Sequence, residues 1–350
     1  MNKPTILITG VHGEIGHGLI EHFSNNQDYQ IVALDLKKRS EREASLKATF
    51  IQGDILDEAL LAELDAKYDI HLIFHLAAIL STGGEKNPAN THHVNVQGSF
   101  NLLNLAKSQS EKRGIPTKFI FPSTIAAYGI PTVEQKNEAG KLCEHQFLDP
   151  TTMYGMNKLY VEHLGRYFDG HFKSFDKSEG NTKIDFRCVR LPGIVSAMTV
   201  PSGGTSDYGP EMLHAAAKGE SYNCFVNPGS SLPFMTMPDA IRALTKLAEA
   251  PKSSLTRRIY NVTSFSLTAE QFRQEVLKYF PTADIGYEAE PTRLAIVESW
   301  PADVNDNAAR KDWNWSPEFD KDRAFAEYLV PGVKALYSCE DITQKKCANG

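Results

Sequence analysis

The sequence predicts an α/β fold: a doubly wound parallel sheet followed by a smaller α/β lobe on its C-terminal side. Three observations carry this. Short apolar runs alternate with helix-length segments over the first half of the chain, as a parallel sheet covered on both faces requires. A glycine-rich turn, Gly10-Val-His-Gly13-Glu-Ile-Gly16, follows the first apolar run directly. Past about residue 190 the alternation loosens into a stretch rich in Gly, Pro, Ser and Thr.

Ile6-Leu-Ile-Thr9 reads as the first strand, and a helix follows over about 14–24. Gln30-Ile-Val-Ala-Leu34 is the second strand and ends at Asp35; Thr49-Phe-Ile-Gln52 is the third and ends at Gly53-Asp54. A polar helix precedes Ile70-His-Leu-Ile-Phe-His75, and a long helix spans about 87–109. Lys118-Phe-Ile-Phe121 is the fifth strand, 151–172 a helix, and Ile184-Asp-Phe-Arg-Cys-Val189 the sixth strand. Right-handed crossovers between parallel strands leave the topology little freedom. Helical periodicity returns over about 211–218, 239–249 and 268–280, and Arg258-Ile-Tyr-Asn-Val262 reads as a strand returning to the main sheet. We therefore expect a dinucleotide-binding domain over 1–190, completed by the strand near 257–262. A substrate lobe over mainly 191–330 and a polar tail over 338–350 follow. Residues 173–182 read as a polar surface loop.

The 350 residues are 41% hydrophobic and 23% charged, enough for a sizeable core. A net charge of −6 without a long basic run points away from nucleic acid. No apolar stretch nears the roughly 18 residues of a membrane span, and the run from Pro4 to Thr9 is too short for a signal peptide. The five cysteines (143, 188, 224, 339, 347) lack paired spacing and read as reduced thiols of a cytoplasmic protein. No metal site is expected. His71, His75, His92 and His93 read as strand and helix packing rather than ligands.

Gly10, Gly13 and Gly16 let the backbone turn sharply and approach a pyrophosphate, as in a Rossmann fold. The helix that opens there, with Glu14 and Ile15 in its first turn, offers free N–H groups to phosphate. Asp35, 19 residues after Gly16, can bind both adenosine ribose hydroxyls, which favours NAD over NADP. Lys37, Lys38 and Arg39 follow it and keep a 2′-phosphate in view. Asp54 and Ile55 are candidates for the adenine, and Leu76, Ala77 and Ala78 offer small side chains beneath a cofactor.

Tyr154 and Lys158 stand four residues apart on one helical face. A cation there favours the phenolate, a base able to deprotonate an alcohol. Thr124, 30 residues earlier, ends the fifth strand with a hydroxyl. Glycine turn, Ser/Thr and Tyr-x3-Lys in this order resemble the extended short-chain dehydrogenase/reductase superfamily, with its epimerases and dehydratases. A closer likeness is to the short-chain-type L-threonine 3-dehydrogenases. It rests on His75 to Ser81, Gly84 to Pro88, Pro122 to Ile125 and Arg190 to Ile194. Gly203 to Tyr208, Leu232 to Asp239, Ser299-Trp-Pro301 and Ala309 to Trp315 extend it over roughly 4–330.

That resemblance implies oxidation of L-threonine at C3 by NAD, with Tyr154 as proton acceptor and Lys158 holding the nicotinamide ribose while lowering the tyrosine pKa. Thr124 is implied to hold the same hydroxyl, with Ser123 near the nicotinamide and Leu191 and Ile194 packed against it. Ser81, Thr205 and Ser206 are implied ligands of the small-molecule substrate, with Trp300 capping the pocket against water. The superfamily also implies a homodimer through helices 87–109 and 151–172. The chain departs from the family pattern at Ser206 and Gly209, at Ser231 where an arginine is usual, and at Leu191 where an aromatic is usual; 173–182 looks inserted. The alternatives are a dehydrogenase of another small β-hydroxy acid and a nucleotide-sugar 4-epimerase or dehydratase. The latter needs cations for a diphosphate, and 190–240 holds only Arg190 and Lys218.

Overall fold

All five residues of the first strand, β1 (Thr5–Thr9), are buried, as expected of a strand covered by helices on both faces. It belongs to a computed structural model that describes residues 3–24, 28–39, 43, 45–171, 183–201 and 203–338. The expectations for 173–182 and for the tail beyond 338 lie outside the described residues.

After β1 come β2 (Gln30–Asp35), β3 (Thr49–Gln52), β4 (Ile70–His75), β5 (Lys118–Thr124), β6 (Lys141–Leu142) and β7 (Asp185–Leu191). The remaining strands are β8 (Gly193–Val195), β9 (Tyr222–Cys224), β10 (Ser231–Thr236), β11 (Ile259–Asn261), β12 (Phe265–Thr268), β13 (Ile285–Tyr287) and β14 (Asp303–Val304). The main sheet has seven strands in the order β11-β7-β5-β4-β1-β2-β3, and every neighbouring pair is parallel. Chain order reverses between β1 and β4, so a crevice opens there beyond the strands' C-terminal ends.

The helices are α1 (Glu14–Ser24), α2 (Glu58–Lys67), α3 (Ser81–Lys86), α4 (Pro88–His92), α5 (Gly98–Arg113), α6 (Val133–Ala139) and α7 (Met153–Gly170). Then follow α8 (Tyr208–Lys218), α9 (Met237–Glu249), α10 (Ala269–Tyr279), α11 (Pro291–Glu298), α12 (Asn307–Trp313) and α13 (Lys321–Arg323). One face of the sheet packs on α2, α5 and α7 through Leu61, Leu64, Leu102, Leu103, Val161 and Phe168. The other packs on α1, α9 and α12 through Leu19, Ile20, Ala240, Leu244, Leu247 and Trp313. A third cluster, built on Tyr208, Met212, Phe234, Phe272 and Phe325, fills the space beneath the three-stranded sheet β12-β10-β8.

Several elements differ from expectation. The long helix begins at Pro88, passes through a π-turn at His93–Gln97 and runs on to Arg113. Gly114 ends it in the left-handed region at φ +67°. β5 continues through Pro122 to Thr124, paired with β7 as far as Thr124 opposite Leu191. Pairing with β4 stops at Ile120, so the proline's missing N–H breaks no ladder bond on that side.

Candidate active site

Many of the candidate residues lie at or just past the C-terminal ends of the parallel strands, whereas Tyr154 and Lys158 lie on α7, Ile194 in β8 and Trp300 just past α11. Gly10, with φ +72°, leaves β1 in a conformation that L side chains resist. A Cβ built on it would lie 2.6 Å from the backbone nitrogen of Ala77, so the β1 and β4 exits touch through bare backbone. Thr9 ties them further: its Oγ1 accepts from Ala77 N at 3.2 Å, and its carbonyl accepts from Leu76 N at 3.2 Å. His75 stands between Thr9 Oγ1 (3.0 Å) and Ser99 Oγ (2.8 Å), and burial pulls its pKa down to about 3.

The turn then enters α1, whose first N–H groups, at Glu14, Ile15 and Gly16, have no hydrogen-bond partner among the described residues. A Cβ on Gly13 would meet only the Gly10 carbonyl, at 3.3 Å. Beyond it the turn faces open space, which fits a pyrophosphate held by these N–H groups. The Glu14 carboxylate accepts the hydroxyl of Ser196, on the loop after β8.

Asp35 Oδ2 accepts His12 N and its Oδ1 accepts Lys37 N, both at 3.1 Å. A cavity of about 160 Å³ opens beside it, lined by Val11, His12, Asp35, Arg39, Phe50 and Gln52. Arg39 lies 4.6 Å over the Phe50 ring and donates to the carbonyls of Glu43 and Leu46, so its guanidinium serves the loop. Asp54 Oδ1 accepts Leu56 N at 2.9 Å. Ile55 is buried with its side chain against Gly98.

Tyr154 sits in the first turn of α7. Thr152 caps that helix by accepting Gly155 N at 3.1 Å, and Glu85 of α3 accepts Met153 N at 2.8 Å. A Cβ on Gly155 would fall 2.1 Å from the Ala126 carbonyl. Glycine there lets the helix settle onto the turn that follows Thr124, whose hydroxyl accepts Ala126 N at 3.1 Å and lies beside the Tyr154 phenol. Lys158 Nζ lies 5.7 Å from the Tyr154 ring centroid and 4.4 Å from that of Phe121, and donates to the Pro122 carbonyl at 2.8 Å.

Burial pushes the Tyr154 phenol up to about 12, against the opposing influence of the neighbouring Thr124 hydroxyl. Lys158 donates its ammonium to the Pro122 carbonyl, and burial pulls its pKa down to about 8. Ser123 lies one residue before Thr124 at the end of β5. Its hydroxyl donates to Glu162 Oε1 at 2.5 Å, since alternate residues of a strand face opposite sides. Glu162 pairs with Arg190 Nε (2.8 Å) and Nη2 (2.6 Å), and both side chains are buried.

On the substrate side, Thr205 Oγ1 donates to Ser81 Oγ at 3.2 Å, joining residues 124 positions apart. Ser81 opens α3, and a Cβ on Gly84 of that helix would lie 3.8 Å from Tyr154 Cβ. Ser206 is half-buried beside Thr205. Leu191 is buried and Ile194 half-buried, both in the cluster beneath α1 and α9. Trp300 is 4% exposed and packs in the third cluster, where Tyr154 also packs. Its indole N–H is buried without a hydrogen-bond partner among the described residues.

Sequence reasoning missed Glu162, Thr82, Lys136 and Arg293. Thr82 Oγ1 donates to the Gly203 carbonyl at 2.9 Å, Lys136 Nζ to that of Val297 at 3.0 Å, and Arg293 to that of Gly204 at 2.7 Å. Only Glu162 had a local signal: with Tyr154 and Lys158 it continues one helical stripe at four-residue steps.

A profile of the NAD dependent epimerase/dehydratase family matches residues 6–263. The mitochondrial L-threonine 3-dehydrogenase of Bos taurus is 36% identical over 319 residues, 91% of this chain and 80% of the bovine protein. A solved structure described as a monomeric L-threonine 3-dehydrogenase from a metagenome is 35% identical, with a TM-score of 0.80, covering 95% of this chain and 99% of that one. The L-threonine dehydrogenase structure from Clostridium difficile is 30% identical, with a TM-score of 0.83, covering 96% and 99%. Matches of this extent, on a glycine turn and a Thr–Tyr–Lys group placed as above, make the chain a member of the NAD-dependent epimerase/dehydratase family, an NAD-dependent oxidoreductase acting on a CH–OH group.

Proposed function

We propose that this protein oxidises L-threonine at C3 to L-2-amino-3-oxobutanoate. The observation that supports the substrate is the meeting of Ser81 and Thr205 hydroxyls at 3.2 Å, on a helix that abuts Tyr154. Two small polar side chains suit the ammonium and carboxylate of an amino acid, and Ser206 adds a third hydroxyl beside them. Trp300 walls the pocket with apolar surface.

Tyr154 takes the proton of the C3 hydroxyl, and Thr124 holds that hydroxyl in line. Bound NAD supplies the hydride acceptor. Asp35 holds the adenosine ribose, Asp54 and Ile55 the adenine, and the N–H groups of Glu14, Ile15 and Gly16 the pyrophosphate. Leu76, Ala77, Ala78, Ser123, Leu191 and Ile194 would line the nicotinamide end of the cofactor site. Lys158 holds the nicotinamide ribose. In the free protein the phenol, at about 12, stays protonated near neutral pH. The approach of the Lys158 cation toward the phenol is what favours the phenolate in the working complex. Residues 1–190 with β11 form the cofactor domain in this reading, and 191–330 mainly the substrate lobe. The same proposal makes the protein a cytoplasmic homodimer joined through α5 and α7, where Phe100, Met156, Tyr160 and Tyr167 are exposed.

Purified protein given NAD should form NADH with L-threonine. Turnover of another small β-hydroxy acid without turnover of L-threonine rejects the substrate. Tyr154→Phe should keep NAD affinity and lower kcat by about 10²–10⁴-fold, the range of a general base; unchanged turnover removes Tyr154 as the base.

A further inference from the structure

Helix α11 carries Arg293 near its start and Trp300 just beyond its end. Both ends are anchored to the substrate side of the site. At the start, Arg293 Nη2 donates to the Gly204 carbonyl at 2.7 Å, and its guanidinium carbon lies 3.2 Å from the Phe225 ring centroid. The Glu211 carboxylate stands 3.7 Å away. Gly204 immediately precedes Thr205, the residue that meets Ser81. The loop is further shaped by Gly204 N donating to Asp207 at 2.6 Å and by the Thr82–Gly203 bond.

At the far end, buried Lys136 donates to Val297 O at 3.0 Å and to Glu298 at 3.1 Å. Ser299 Oγ meets Thr151 Oγ1 at 3.0 Å, and Ile130 N donates to Ser299 O at 2.8 Å. Thr151 and Thr152 lead into α7 and Tyr154. Eight helical residues span about 12 Å, so α11 is a short strut between the Thr205 loop and the start of the catalytic helix.

The geometry assigns Arg293 as a positioning residue for the substrate. By holding the Gly204 carbonyl it fixes Thr205 against Ser81, and so sets the width of the pocket a small hydroxy amino acid enters. This rests on the threonine reading above. The role suits arginine: a planar guanidinium can stack on Phe225 and donate in its own plane at the same time, and few rotamers remain once it does. Lysine offers a point charge with no such plane. Arg293 acts through the loop backbone, so its removal should loosen the ground-state fit more than the chemical step.

The test uses the full chain with Arg293→Gln and Arg293→Lys. Arg293→Gln should raise KM for L-threonine about tenfold, with kcat within about threefold and NAD Kd, measured calorimetrically, within about twofold. Arg293→Lys should fall between it and the wild type. Amide hydrogens over 203–207 should exchange about tenfold faster in Arg293→Gln. Unchanged KM, or parallel losses of kcat, NAD affinity and thermal stability, overturns the assignment. If the wild type itself fails to oxidise L-threonine, the substrate reading falls. The exchange measurement needs no substrate, and unchanged exchange then overturns the clasp on its own.

Discussion

His75 shows how burial decides what a side chain can do. Its ring lies between Thr9 and Ser99 with no access to water, and its pKa is pulled down to about 3 from an ordinary 6.5. Below pH 6.5 the unfolded chain takes up a proton that the folded protein refuses. The stability from a neutral His75 is therefore complete above pH 6.5 and declines as pH falls toward 3, by about 1.4 kcal/mol per pH unit for one full proton. His75→Gln removes the titration, so between pH 6 and pH 4 the variant's stability should fall less steeply than the wild type's by about one proton's slope. Urea unfolding across that range checks it; parallel curves would mean the ring titrates normally. Cys188 follows the same physics: it is fully buried, and burial pushes its thiol well above the ordinary range, which leaves it inert. Tyr154 shows what spacing leaves out. Four residues to Lys158 are legible in the sequence, but the ammonium's turn toward Pro122 is a property of the packed site.

At the scale of elements, α7 carries three of the residues discussed above. Tyr154, Lys158 and Glu162 repeat every four residues along it. Glu162 ties this helix to β7 through Arg190 and to β5 through Ser123, the two strands that end at Leu191 and Thr124. Removing one partner of a buried pair leaves the other charge uncompensated. Glu162→Gln should therefore cost about 3–5 kcal/mol in urea unfolding, and adding Arg190→Met should restore part of it. A cost below about 1 kcal/mol would show that the pair does not join these elements. Helix starts were partly legible: Thr268 and Gln271 form a capping box at α10, and Thr152 caps α7. The two-to-three-residue strands around the lobe were not, because such short runs carry no periodicity and exist only where a partner strand pairs with them.

For the whole molecule, the homodimer reading is open to a direct measurement. Light scattering should give twice 38.9 kDa, and Tyr160→Glu, at an exposed position of α7, should give the single mass with NAD affinity unchanged. A wild type at the single mass, as in the relative described as monomeric, rejects it. Among the described residues no helix is long and apolar enough to cross a membrane, and Cys143, Cys188 and Cys224 are free thiols. By itself the sequence determined the strand–helix alternation, the glycine turn after β1 and the four-residue step from Tyr154 to Lys158. Those signals are local: periodicity, a turn's need for glycine and a helical step are written within a few residues. Only the tertiary structure decided that Ser123 serves Glu162, that Ser81 meets Thr205, and that Arg293 bonds the Gly204 carbonyl beside Thr205. Those outcomes depend on contacts between residues far apart in the chain and on how much water the packing leaves around each group. No spacing along the chain records either.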